Sequence, residues 1–293
     1  MFKSAPLAII VMLGSTAALA ENSVELEQIG TGNHAVIYQG DVVDASQARV
    51  SQIGHYNMAS IAQAGESYFN VASLHQLGDA NIAAIEQSGR ANQLSASSTG
   101  TANQLSASQT GFAVARVTQT GVDNSLTFAQ QTYYEGSALN VEQHGTANLA
   151  NIAQGDGNRL ALLQAGTLNS AEIRQTAYHN ELDFTQSGDG NRLDVDQSGY
   201  GGSIVGSSSG SRNSVAIDQS YASSRAALVQ SGSDNLASIE QVYEAHQATI
   251  TQQGSANQAH IRQSMPVDPY SYTPGVATIH QSGSGNSAGI TQR

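Results

Sequence analysis

The side chains that recur most regularly in this 293-residue chain are carboxamides. Glutamines stand at Gln52, Gln63, Gln76 and Gln87, at Gln143, Gln154, Gln164, Gln175, Gln186 and Gln197, and at Gln219, Gln230, Gln241, Gln252 and Gln263, mostly in steps of 11. A carboxamide does not titrate, so it carries no acid–base catalysis; it offers one carbonyl acceptor and two N–H donors. Identical carboxamides stacked at a fixed height can pair donor with acceptor along their axis without end, as in amide ladders. One buried carboxamide alone would cost free energy, and a ladder removes that cost.

The titratable residues make no comparable pattern. The 8 histidines are scattered, with no H-x-x-x-H pair and no cysteine to converge on a metal. Asp79, Asp123, Asp156, Asp189 and Asp234 fall in turns, where aspartate is favoured for its local hydrogen bonding, and the G-G-x-G-x-D nonapeptide of calcium-binding β-rolls is missing. The "DGN" corners at 156–158 and 189–191 have neither the following helix nor the lysine of a phosphate cradle. No Ser, His and acid set stands outside the repeats, so the sequence predicts no enzyme, no metal and no cofactor.

Composition narrows the class further. Aromatics make up 5% and charged residues 12%, Trp and Cys are absent, and Gly numbers 29. Small and polar residues bury little apolar area each, so regular hydrogen bonding has to carry much of the stability. The stretch MFKSAPLAIIVMLGSTAALA has Lys3 before an apolar run from Ala5 to Leu13 and an A-x-A site at Ala18 to Ala20, the organisation of an export leader. We expect residues 1–20 to be a signal peptide cleaved between Ala20 and Glu21, with the repeat region over 21–293. Lys3 is the one lysine, so the processed chain carries arginine as its sole strong base against 23 acids; that excess of negative charge argues against nucleic acid as a partner.

The repeated unit reads Q-x-G-x-x-N-x-A-x-I-x-Q, as in QIGHYNMASIAQ (52–63), QAGTLNSAEIRQ (164–175), QSGSDNLASIEQ (230–241) and QQGSANQAHIRQ (252–263). An 11-residue period also suits a right-handed helical coil, but the fixed residues alternate: Asn81, Ala83, Ile85, Gln87; Asn169, Ala171, Ile173, Gln175; Asn235, Ala237, Ile239, Gln241. Period two marks a strand. Gly54, Gly78, Gly166 and Gly232 then mark corners whose φ a Cβ would oppose. Two units make a rung, strand i lies over strand i+2, and the fold expected is an all-β, two-sheet β-solenoid of about twelve rungs spaced about 4.8 Å apart, amyloid-like cross-β on assembly. Ala and Ile fill a thin core. Ladders are expected at Gln28, Asn33, Gln52, Asn57, Gln76, Asn81, Gln87, Gln164, Asn169, Gln175, Gln230, Asn235, Gln281, Asn286 and Gln292. Outward positions such as His34, Val36 and Tyr38, or Arg192, Asp194 and Asp196, vary freely, as repulsion between stacked like charges requires.

Three units are degenerate: 39–52 lacks its Gly and Asn, 109–119 is one residue short, and 197–210 replaces its Asn and Gln. They read as drift at tolerant positions, or as loosened rungs that slow premature stacking. Between Gln263 and Gln281 stand Pro266, Pro269 and Pro274; proline cannot donate to a ladder, so 264–275 is expected to be a loop expelled from a corner.

These units resemble the curlin repeats of curli fibre subunits, from Gln28 to Gln292. The resemblance implies a subunit that crosses the outer membrane through a dedicated secretion pore with periplasmic accessory proteins, then polymerises with itself and with another curlin subunit into extracellular fibres of the biofilm matrix. It also implies that the terminal carboxamides do the templating, which are Gln28 and Asn33 at one end and Gln281, Asn286 and Gln292 at the other. The ending GITQR (289–293) is similar to that of the minor, nucleating curlin, so bulk subunit and nucleator both stay open. The competing classes are a monomeric solenoid adhesin, and an ice-binding face, for which the variable outward residues are unsuited.

Overall fold

The computed structural model describes residues 8–13, 22–40, 43–65, 67–264 and 273–293, and of 8–13, 43–44 and 67 the backbone only. The expected cleavage point at Ala20 and Glu21, and most of the proline-rich segment, lie outside the described residues. Every regular element among the described residues is a strand. The chain divides into two units, 1–147 and 148–293, each built the same way.

In unit 1 one sheet stacks the long strands Ser23–Thr31, Gln47–His55, Val71–Asp79, Gln93–Thr101, Val114–Val122 and Ala138–Thr146. The other stacks the short strands His34–Gln39, Met58–Gln63, Ile82–Ser88, Gln104–Thr110 and Ser125–Gln131, with Ala8–Leu13 paired to His34–Gln39. In unit 2 the long strands are Arg159–Thr167, Glu181–Asp189, Ser203–Ser211, Arg225–Ser233, Gln247–Ser255 and Val276–Ser284. Its short ones are Leu149–Gln154, Ser170–Gln175, Arg192–Gln197, Ser214–Ser220, Leu236–Val242, Gln258–Gln263 and Ser287–Gln292. All pairs are parallel and in repeat register, Gln52 beside Gln76 and Gln63 beside Gln87, so like residues meet like. The fold is a two-sheet β-solenoid of about 11 turns, close to the number the repeats predict.

Alternation sets the core. In Gln47–His55 the side chains of Ala48, Val50 and Gln52 are buried while Gln47 and Arg49 are exposed; in Met58–Gln63, Ala59, Ile61 and Gln63 are buried. A one-residue slip would turn this whole set to solvent, which is what holds the register.

The two arcs of a rung differ. From long to short strand the chain always takes five residues from the Gln position to Asn, as from Gln52 to Asn57 and Gln186 to Asn191. The glycine expected at this corner is the penultimate residue of the long strand, and its Cα sits directly under the next rung: a Cβ on Gly54, with φ at +123°, would lie 2.0 Å from the carbonyl oxygen of Gly78. The left-handed corner residue is the one before Asn, such as Tyr56 (φ 57°), Ala80 (56°) or Ala256 (55°). From short to long strand the arc varies, and it accounts for the rung lengths of 21 to 29 residues seen between paired glutamines.

The degenerate units are not loose. Gly206, in Ser203–Ser211, leaves a gap that Phe184 of the preceding rung fills: a Cβ there would come within 2.5 Å of the Phe184 ring. Phe184 is fully buried. In 39–52 the missing Asn is replaced by buried Ser46, whose Oγ accepts the backbone N–H of Asn70 at 3.2 Å.

Candidate functional site

Three columns of like residues run through each unit. On the short strands the Nε2 of Gln39 donates to Gln63 Oε1, Gln63 to Gln87, Gln87 to Gln109 and Gln109 to Gln130, at 2.8–2.9 Å. In unit 2 the series Gln154, Gln175, Gln197, Gln219, Gln241, Gln263 and Gln292 continues unbroken at 2.7–3.0 Å. On the long strands Gln28 donates to Gln52 and Gln52 to Gln76, at 2.5 and 2.8 Å; in unit 2 Gln164 donates to Gln186, Gln230 to Gln252, and Gln252 to Gln281. Serine interrupts this column at Ser98 and Ser208, both buried. Ser98 Oγ donates to Asn81 Oδ1 at 3.1 Å and Ser208 Oγ to Gln230 Oε1 at 3.4 Å.

The asparagine column has the opposite polarity. The backbone N–H and Nδ2 of Asn57 both donate to Asn33 Oδ1, those of Asn81 to Asn57, and in unit 2 those of Asn191 to Asn169 and of Asn286 to Asn257. Below the last rung Nδ2 also reaches forward to the glycine carbonyl of the next rung, as from Asn33 to Gly54 and from Asn235 to Gly254. Glutamine therefore donates toward the C-terminal end of the stack and asparagine toward the N-terminal end, and these bonds are buried inside the rungs, where they are electrostatically strongest.

The ends are left complementary. At the N-terminal end the Oε1 atoms of Gln28 and Gln39 are buried without a partner, while Val24, Leu26 and Gln28 on edge strand Ser23–Thr31 are only half-buried. At the C-terminal end Gln281 and Gln292 each use one Nε2 hydrogen on a backbone oxygen, Gln258 O and Val276 O, and have one left. Asn286 Nδ2 is spent on Asn257 and Ser282, leaving Oδ1 to face outward from the last rung. The structure thus puts Gln28, Gln52 and Gln76 in one column, Gln87 in a second and Asn33, Asn57 and Asn81 in a third; in unit 2 Gln164, Gln230 and Gln281, then Gln175 and Gln292, then Asn169, Asn235 and Asn286 fall in the matching three. Gln39, which Gln292 matches by column, was missed: its unit lacks Q-x-G, but its place five residues past His34 at the end of a short strand would have revealed it.

Histidine behaves in two ways. His34, His75, His260 and His280 point outward, as expected. His246 instead takes the Asn position of a corner and is buried; its Nδ1 accepts the Gly275 N–H at 3.0 Å, and burial holds its pKa below the usual imidazole value. The outward face is also less varied than repulsion requires. Asp196, Asp218 and Glu240 stand side by side on adjacent strands. Desolvation first, then the neighbouring Asp196 and Glu240, raise the Asp218 pKa. Arg262 offsets Glu240 at 3.3 Å. Elsewhere rungs are tied by opposite charges, as where Arg212 grips Asp234 at 2.8 Å and its hydrogen bond lowers the carboxyl pKa. Among the described residues no group of three His, Asp or Glu is placed to hold a metal ion.

Residues 155–199, which cover four strands with their Gln and Asn columns, match the family described as curlin associated repeat. That segment carries the curlin repeat. A comparison with curated proteins finds no match. Outside the matched segment the same columns continue in both directions within unit 2, and unit 1 repeats them.

Proposed function

We propose that the chain is a secreted structural subunit of curli-type extracellular fibres, and that copies join by setting the Gln28, Asn33 and Gln39 end of one on the Gln281, Asn286 and Gln292 end of another. The observation that carries this reading is the pair of unpartnered acceptors on Gln28 and Gln39. The free Nε2 hydrogens of Gln281 and Gln292 occupy the matching two columns of unit 2. Asn286 Oδ1 is in turn an acceptor for the Asn33 backbone N–H, the Asn33 Nδ2 already donating to Ile29 O and Gly54 O. Because the faces differ, the contact is head to tail, and a contact of that kind propagates rather than closes. Loss of a leader at Ala20 also frees strand His34–Gln39 from its pairing with Ala8–Leu13, completing the acceptor face.

The curlin repeat supports the remaining parts of the reading: export through an outer-membrane pore with periplasmic helpers, growth at the cell surface on itself or on a second curlin subunit, and a role in biofilm matrix and adhesion. The chain from Glu21 onward, purified and left to stand, is expected to sediment and to bind thioflavin. Replacing Gln281, Asn286 and Gln292 with Ala lengthens the lag far more than replacing Gln109 and Gln119. A species that stays soluble and monomeric, or equal effects of the two sets, overturns the reading.

A further inference from the structure

We infer that Tyr221 and Tyr243 form an oxidative cross-linking site, a tyrosine pair set to become a dityrosine bridge between adjacent rungs of unit 2. The chain has no cysteine, and Lys3 lies in the expected leader, so neither disulfide nor lysine-based bridges are open to the processed protein. Tyrosine remains, and it is not spread at random. Of the 11 tyrosines all but Tyr38 and Tyr56 fall in the segments that follow the short strands, and in unit 2 Tyr178, Tyr200, Tyr221 and Tyr243 come from consecutive rungs of that arc.

Within this row Tyr221 and Tyr243 are singular in two respects. Both sit two residues past the ladder glutamine, where Gly65, Gly89 and Gly111 stand in unit 1, and both take positive φ, 92° and 124°. A tyrosine held there is strained, and such strain persists only where surrounding structure enforces it. The enforcement is visible in the backbone: Tyr243 N–H donates to Ser220 O at 3.2 Å and Ala245 N–H to Ala222 O at 2.9 Å, which pins one arc on the other. The result is two rings with centroids 5.4 Å apart and planes inclined by 31°, while Tyr200 is turned edge-on to His179 at 80°. Tyr221 is 60% exposed, so an oxidant in solution reaches it.

The chemistry balances with one two-electron oxidant. Each phenol gives one electron and its hydroxyl proton to a haem peroxidase acting on hydrogen peroxide. The two phenoxyl radicals join through a carbon–carbon bond between ring positions ortho to oxygen, and the hydrogen on each of those carbons moves to its own oxygen. The protein loses two hydrogens, and one peroxide becomes two waters. Rings tilted by 31° with centroids 5.4 Å apart face each other closely enough for their ortho carbons to meet on a small rotation, whereas an edge-on pair does not. The bridge would fasten one rung to the next by a covalent bond that denaturant cannot undo.

The test uses the full chain from Glu21, assembled and then treated with a haem peroxidase and hydrogen peroxide. Trypsin cuts after Arg212, Arg225 and Arg262, so Tyr221 and Tyr243 separate into peptides 213–225 and 226–262. A linked pair of these two, lighter by two hydrogens, is the expected product. It disappears in Tyr221→Phe and in Tyr243→Phe, which keep the rings and the fold, and it persists in Tyr178→Phe and Tyr200→Phe. In an equal mixture of nitrogen-15-labelled and unlabelled protein the linked peptides carry a single isotope. A product joining other peptides in its place, survival of the link in either of the first two variants, or mixed isotopes overturns the inference.

Discussion

Gln292→Glu separates the contact between copies from the fold of each copy. In the chain itself Gln292 accepts from Gln263 Nε2 through Oε1 at 2.7 Å, and its Nε2 touches only the backbone oxygen of Val276 at an exposed edge. Glutamate keeps the acceptor and loses the edge contact, so the isolated subunit should lose no more than a few tenths of a kcal/mol. At the head-to-tail contact the same change sets a carboxylate oxygen against Gln39 Oε1, an acceptor against an acceptor. One hydrogen bond is lost and one buried acceptor is stranded, about 2 kcal/mol in all. At 1.4 kcal/mol per decade that raises the soluble concentration in equilibrium with fibres roughly 30-fold. Acid should reverse it. Below about pH 4 the carboxyl is protonated and can donate to Gln39 Oε1, and because the proton is bound more tightly in the contact than in the free subunit, assembly strengthens as pH falls. The assay is sedimentation to plateau at pH 7 and at about pH 4, with circular dichroism of the soluble fraction to show that the subunit is intact. A plateau concentration within about twofold of wild type at pH 7 refutes the donor–acceptor account of the contact.

Gly54→Ala should cost more than 3 kcal/mol in a denaturant titration, because its Cβ would meet the Gly78 carbonyl at 2.0 Å, whereas Gly65→Ala, with φ at +80° and open space around it, should cost only the dihedral penalty of about 1–2 kcal/mol; equal costs would mean that stacking does not fix this glycine. Phe184→Ala should lose about 3–5 kcal/mol, more than most single core changes, since it empties both its own site and the space over Gly206, and Gly206→Ala should be tolerated far better in the Phe184→Leu background than alone. Asp218→Asn should raise the denaturation midpoint at neutral pH. The folded-state pKa of Asp218 is raised, so the native protein binds the extra proton and its penalty is relieved as pH falls; the gap between variant and wild type should close near pH 4, and a gap that widens on acidification would contradict the shift.

Strand identity and register were legible because alternation and repetition act together. Once Asn81, Ala83, Ile85 and Gln87 occupy every second position, their burial in one face follows from the pleat, and once the next unit repeats them, parallel stacking in register is the arrangement that puts each like on like. The ladder direction was not legible. Which way a carboxamide donates depends on the rotation of its end group, and the opposite polarities of Gln52 and Asn57 exist only in three dimensions. Gln39 escaped because its own unit is degenerate, although the strand that precedes it is regular. His246 escaped because a histidine in an Asn column has no sequence signature apart from its distance from Gln241. The pairing of Phe184 with Gly206 joins residues 22 apart whose volumes are complementary, a relation that only the register turns into contact.

The two arcs divide the labour of a rung, and this explains where the sequence is free to vary. Between long and short strand the glycine carbonyl is an acceptor for asparagine and its Cα is a steric floor for the next rung, so neither the length nor the glycine can change without moving every rung above; from Gly30 to Gly145 and from Gly166 to Gly283 neither does. Between short and long strand the asparagine can become Ser46, Ala113, Gly202 or His246, since a corner there needs only an acceptor or a small residue, and the chain may leave the stack for several residues before returning. Differences in length and the aromatic row therefore accumulate along one edge of each unit. Variation confined to that edge leaves the Gln and Asn columns untouched, and it is those columns that a second copy has to read.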